Sequence, residues 1–79
     1  METAYVLISC DLGFEAEIID EIKQVKDVKE VLGIFGVYDI LVKVESDSVE
    51  NLKDTITWKI RKLNRVRSTL TLMVAEKNT

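Results

Sequence analysis

The sequence predicts an α+β domain of the ferredoxin-like class, with a four-stranded antiparallel sheet and two helices on one of its faces. Four short stretches are rich in apolar and β-branched residues, and two stretches between them repeat apolar residues at helical spacing. The resulting order is β-α-β-β-α-β, and right-handed crossovers leave one arrangement for it. The length, 79 residues, fits a single domain over residues 1–79.

The first strand and first helix occupy the first third of the chain. Residues 4–10 (A-Y-V-L-I-S-C) are mostly apolar on both alternating faces, which is typical of a central strand. After a turn at residues 11–13, a helix is predicted over residues 14–25. Its apolar stripe has spacings of four, four and three, at Phe14, Ile18, Ile22 and Val25.

Two alternating strands follow, at residues 28–35 and 37–45. Only Gly36 separates them, so we expect a hairpin with a turn of one or two residues. Strict alternation puts Val28 and Val31 on opposite faces, and Gly33 could allow a bulge.

The second helix is predicted to begin at Asp47, an N-cap with Glu50 three residues on. Its apolar stripe comprises Val49, Leu52, Ile56, Ile60 and Leu63. The last strand, residues 66–76, alternates between two sets. Leu70, Leu72 and Val74 are on one side, and Thr69, Thr71 and Met73 are on the other. Residues 77–79 are expected to be a frayed tail.

Composition argues against several functions. The net charge is −3, and one Cys with no His provides neither a zinc-ligand cluster nor a nucleophile–base pair. We therefore expect no metal, no cofactor and no enzymatic activity. The acidic balance also argues against direct nucleic-acid binding, and the basic segment 59–67 is interpreted as a solvated helix end. No apolar run reaches the length of a membrane span, so we expect a cytoplasmic protein without membrane contact.

The predicted architecture leaves one sheet face uncovered. On the first strand that face carries either Tyr5, Leu7 and Ser9 or the alternate set, and neither half is polar. Monomers rarely expose so much apolar surface, which favours a homodimer through the open sheet face. Trp58 lies about 180° from the apolar stripe of its helix. Its ring is expected either to lie along its own helix or to contact a second interface.

Asp39, beside the Gly36 turn, suggests a small-molecule site. A turn with little side-chain bulk allows a ligand to approach the backbone, and a carboxylate can bind an ammonium group. Hydroxyls of the last strand, on Ser68, Thr69 and Thr71, could hold a carboxylate. The alternative is that the glycines serve only the turn and that Asp39 is solvated.

Three segments resemble a known family. The stretch G-V-Y-D-I-L-V-K-V, residues 36–44, resembles the G-x-Y-D segment of the RAM domain, the effector-binding half of the Lrp/AsnC transcription regulators. V-R-S-T-L-T-L-M-V, residues 66–74, resembles that family's closing T-x-T strand, and A-Y-V-L-I its first strand. The resemblance covers essentially the whole chain. Strand one begins at residue 3 or 4, so we expect a stand-alone RAM domain without the helix-turn-helix.

The resemblance implies amino-acid effectors bound between dimers that assemble into tetramers, octamers or decamers. Matched by position, the ligand-binding residues would be Gly36, Tyr38, Asp39, Thr69 and Thr71, with Tyr5 as a weaker candidate. The implied function is an amino-acid sensing and oligomerisation module, which could pair with full-length Lrp/AsnC regulators and modulate transcription or amino-acid metabolism indirectly. The alternatives are an ACT-like regulatory subunit of a metabolic enzyme and a purely structural oligomer.

Overall fold

The computed structural model describes residues 1–75 and has the predicted element order. The strands are β1 (Glu2–Cys10), β2 (Val28–Gly33), β3 (Ile40–Ser46) and β4 (Val66–Met73). The helices are α1 (Glu15–Lys23) and α2 (Val49–Thr55), and α2 continues into a π-helical segment (Ile56–Ile60). The sheet is antiparallel in the order β2-β3-β1-β4. β4 ends at Met73, before the predicted strand end at Glu76, and residue 76 and the predicted tail 77–79 lie outside the described residues.

The core lies between one sheet face and the helices. Alternate residues of the two central strands are fully buried there: Ala4, Val6, Ile8, Ile40, Val42 and Val44. The helices contribute Ile18, Ile22, Leu52, Ile56 and Ile60, which confirms most of both predicted stripes. Val49 is instead exposed. No helix within residues 1–75 has the length and apolarity needed to cross a membrane.

The β2–β3 connection is longer than predicted. β2 ends at Gly33, β3 begins at Ile40, and these two residues pair, so that the loop comprises residues 34–39. A hydrogen bond from Ile34 N–H to the Asp39 carbonyl, 2.9 Å, closes this loop. Gly36 has φ 137°, a conformation that favours glycine. The expected one- or two-residue turn was therefore wrong, because the Asp39 N–H bonds to β1 rather than extending the hairpin ladder.

A bulge changes the faces of β2. Val28 pairs with Val44 and Glu30 with Lys43, so the register shifts by one residue at Lys29. Val28 and Val31 consequently both pack against the core. The prediction that they occupy opposite faces was wrong, and the bulge is not at Gly33.

The second helix differs from its prediction at its N-terminus, and it changes from an α-helix to a π-helix along its length. Its N-cap is Ser48, whose Oγ accepts the Asn51 N–H at 3.1 Å, and not Asp47. Its α-helical part ends at Thr55, and the π-helical segment follows, with Arg61 N–H bonded to the Ile56 carbonyl at 2.9 Å. Trp58, in this segment, is exposed, with Lys62 Nζ 5.2 Å from its ring centroid.

Replacing the cap tests this assignment. Ser48→Ala should lower the free energy of unfolding by about 1 kcal/mol, because the Asn51 N–H loses its side-chain acceptor. Asp47→Ala, at the cap predicted from sequence, should change it by less than about 0.5 kcal/mol. Urea denaturation of both variants measures the difference, and the reverse order would contradict the Ser48 cap.

Candidate functional site

Asp39 is bound to the end of β1 by two groups. Its N–H donates to the Ile8 carbonyl at 2.8 Å, and its Oδ2 accepts the Cys10 N–H at 2.9 Å. The side chain is only partly exposed. The carboxylate is therefore held in a fixed orientation, and the Cys10 side chain also hydrogen-bonds to it.

Thr69 and Thr71 lie on β4, an edge strand of the sheet. They pair with Ile8 and Val6, whose side chains are buried beneath the helices. Directly paired residues of antiparallel strands share a face. Both threonines therefore lie on the helix side of the sheet, at its margin.

One subunit does not gather the predicted site residues into a single pocket. Asp39 is on the β3 side of β1, and the two threonines are on its β4 side. Tyr5 pairs with Lys43 and Leu72 and occupies the opposite, open face. Asp39 lines none of five clefts formed by residues 1–75, whereas the β4 threonines line two of them.

The loop that carries Gly36 and Tyr38 projects into solvent. Phe35 and Val37, on either side of Gly36, are almost completely exposed, and Tyr38 is partly buried. A Cβ placed at Gly36 would meet no atom within 4 Å. The glycine is thus required by the backbone conformation, and the space beside it is open to a ligand or a second chain.

Two clefts lie between β4 and the second helix. The first, about 310 Å³, is lined by Lys53, Ile56, Thr57, Arg61, Thr71 and Met73. The second, about 290 Å³, is lined by Arg61, Val66, Arg67, Ser68 and Thr69. We call them the Thr71 cleft and the Thr69 cleft. Arg61 belongs to both, so the two hydroxyl-bearing clefts share a basic residue.

Lys53, Thr57 and Arg61 did not emerge from the sequence as site residues. Their spacing of four places them on one side of the helix, and this signal was available. The sequence does not show that this side faces Thr71, because that depends on which edge of the sheet the helix covers.

The open sheet face carries a row of leucines. Leu32 of β2 pairs with Leu41 of β3, which pairs with Leu7 of β1, which pairs with Leu70 of β4. We call these four residues the leucine row. Leu32 and Leu70 are 46% and 43% exposed, so the row is incompletely covered within one subunit. The open face is thus the Tyr5, Leu7 and Ser9 side of β1.

Comparison with known proteins identifies the family. The model of the Lrp/AsnC ligand-binding domain matches residues 3–78. The chain belongs to this family. Among curated protein sequences, none matches it significantly.

Solved structures agree with this membership. FFRP-DM1 is 36% identical, with a TM-score of 0.89 over 94% of this chain and 99% of its own. TTHA0845 from Thermus thermophilus is 32% identical, with a TM-score of 0.94 over 100% and 99% of the two chains. A transcriptional regulator of Neisseria meningitidis, solved as a complex with L-Met, shares 11% identity and a TM-score of 0.82. At this identity it shows the fold alone. This Lrp/AsnC domain covers 52% of that regulator.

Cys10, the last residue of β1, is in contact with Asp39 in this Lrp/AsnC domain, because its backbone N–H donates to the Asp39 carboxylate. The thiol is buried, and burial followed by the negative charge of Asp39 raises its pKa. The folded state therefore holds this proton more tightly than the unfolded chain does. The associated stabilisation is fully present below the pKa of the unfolded thiol, about 8.5. It is lost as the pH rises from there through the raised pKa.

Alkaline unfolding tests the environment of Cys10. Between pH 7 and pH 10 the free energy of unfolding of the parent should fall more steeply than that of Cys10→Ala, which has no thiol to titrate. Urea midpoints at several pH values give both slopes, and the variant's lower stability at pH 7 is subtracted as a constant. Parallel slopes would contradict the raised pKa.

Proposed function

We propose that this Lrp/AsnC domain binds an amino acid between subunits and serves as an oligomerisation module that modulates transcription or amino-acid metabolism indirectly. The observation that carries the proposal is the placement of Asp39. It is a fixed carboxylate beside an open loop, separated by β1 from the hydroxyls of β4. The proposed ligand therefore lies between the loop of one subunit and the β4 edge of another.

The proposed site matches the two charged groups of an α-amino acid. The Asp39 carboxylate accepts from the ammonium group, and the hydroxyls of Thr69 and Thr71 donate to the ligand carboxylate. The open space at Gly36 allows the ligand to approach the backbone, and Tyr38 borders it. The L-Met complex of the Neisseria regulator supports an amino-acid ligand for this fold. Tyr5, on the other sheet face, is proposed to contribute to the dimer instead.

The proposed dimer is formed through the open sheet face. The leucine row crosses all four strands, so two copies packed face to face would bury eight leucines together with neighbouring Leu72. Each leucine removed from water contributes about 1.5–3 kcal/mol at full burial. Further assembly into tetramers, octamers or decamers would use the loop and the β4 edge. Full-length Lrp/AsnC regulators are the proposed partner proteins.

Ligand binding tests the site. An amino acid that raises the melting temperature of the parent should bind Asp39→Asn at least about tenfold more weakly. Asparagine keeps an oxygen for the Cys10 N–H but lacks the charge for an ammonium group. Thr71→Val should weaken binding by about three- to tenfold, and Thr71→Ser should restore it.

Titration calorimetry measures these affinities, with Asp20→Asn, an exposed acid on α1, as the matched control. Unchanged affinity in both Asp39→Asn and Thr71→Val would show that the ligand binds elsewhere. If none of the twenty amino acids shifted the melting temperature, the structural oligomer would be the better account.

Assembly mass tests the dimer. Leu70→Glu places two charges in the proposed sheet-to-sheet interface and should halve the mass of the smallest stable species, measured by light scattering. Leu12→Glu makes the same chemical change at a residue that is 91% exposed and off the sheet, and should leave the mass unchanged. A dimer that survives Leu70→Glu would contradict an interface through the leucine row.

A further inference from the structure

We propose that the effector is an amino acid with an anionic side chain, aspartate or glutamate, and that Arg61 and Lys53 bind its side-chain carboxylate. This inference rests on the proposed function, because it assigns a ligand class to the same intersubunit site. It adds residues of the second helix to a site so far built from the loop and β4.

Arg61 lies where the two clefts of the β4 margin meet. Its side chain lines both the Thr71 cleft and the Thr69 cleft. Lys53 adds a second cation to the Thr71 cleft, and Arg67 adds one to the Thr69 cleft. An amino acid held by the β4 threonines therefore has a guanidinium within reach of its side chain.

The three cations lie in clefts that no described acidic residue lines. Within residues 1–75 none of them takes part in an ion pair, whereas Arg65 pairs with Asp11 at 3.7 Å. The chain as a whole has fourteen acids and eleven bases. Positive charge is thus concentrated beside the threonines of a protein whose net charge is −3. A site of this kind attracts anions.

The π-helical segment aligns the helix residues of the Thr71 cleft. In an α-helix, residues four apart drift by about 40° around the axis. The backbone between Lys53 and Thr57 is mainly α-helical. The backbone between Thr57 and Arg61 lies in the π-helical segment. A π-helix has more residues per turn, so a step of four residues rotates the side chain by slightly less than one full turn about the helix axis. The resulting offset from a full turn is opposite in sign to the offset of about 40° in the α-helical step. All three side chains consequently reach the same cleft.

The chemistry of the cleft favours a carboxylate over an amide. A guanidinium donates two parallel hydrogen bonds to a carboxylate, and the ionised acceptor makes these bonds stronger. Glutamine and asparagine have the shapes of glutamate and aspartate but offer one neutral acceptor. Apolar side chains offer these exposed cations no hydrogen-bond acceptor. The volume of about 310 Å³ is at the lower end of the range of small-ligand pockets.

Matched ligands and matched variants test the inference. Titration calorimetry on the assembled protein compares glutamate with glutamine, aspartate with asparagine, and both pairs with leucine. The acid of at least one pair should bind about tenfold more tightly than its amide. Arg61→Gln should abolish that preference, and Arg61→Lys should keep part of it. Lys62→Gln removes the same charge one residue away, outside both clefts, and should keep it in full.

The outcomes separate the two proposals. If amides or apolar amino acids bound as well as the acids, this inference would be overturned and the proposed function would stand. If no amino acid bound, both would fall. If Arg61→Gln changed the assembly mass in the absence of ligand, Arg61 would contact a neighbouring subunit, and its assignment to the ligand would be overturned.

Discussion

The register between β1 and β3 is the constraint on which the rest of the structure depends. In this register Ile8 faces Ile40, and the buried halves of both central strands turn toward the helices. A slip by one residue would turn the buried side chains to the open face. The side chains of the opposite face, which include Leu7 and Leu41, would then point toward the helices. Asp39 fixes the register immediately beyond the last pair, because its N–H and its carboxylate both bond to β1. The residue proposed to bind the ligand is therefore also one that holds the central strands in place.

The sequence predicted those parts of the fold that depend on local periodicity. The element order, most of both helical stripes and the two alternating sets of β4 follow from spacing alone. The choice between the two halves of β1 does not, because both are apolar and only the packing of the helices distinguishes them. The β2–β3 loop was predicted too short for a similar reason. A glycine between two alternating segments indicates a tight turn, whereas the actual loop is set by the bonds of Asp39 to a strand about 30 residues earlier.

The candidate site shows a related limit. Residue types and motif resemblance pointed to Asp39, Thr69 and Thr71 as a group, and the topology separates them because β1 lies between β3 and β4. Conversely, Arg61 was assigned only to a solvated helix end, and it lines two clefts on the β4 margin. Neither relation can be obtained from spacing along the chain, since each depends on the order of strands across the sheet.

The proposed assembly uses two surfaces with different symmetry. The leucine row would meet a second copy of itself, which is an isologous contact that closes after two subunits. The proposed ligand site joins the Asp39 loop of one subunit to the β4 edge of another. These are different patches, so this contact is heterologous and generates a ring or an open chain of dimers. An effector bound within the proposed heterologous contact would stabilise the assembled form, provided that its affinity for that form is the higher one. In this arrangement the leucine row provides a constant dimer, and the effector concentration acts on the step that joins dimers.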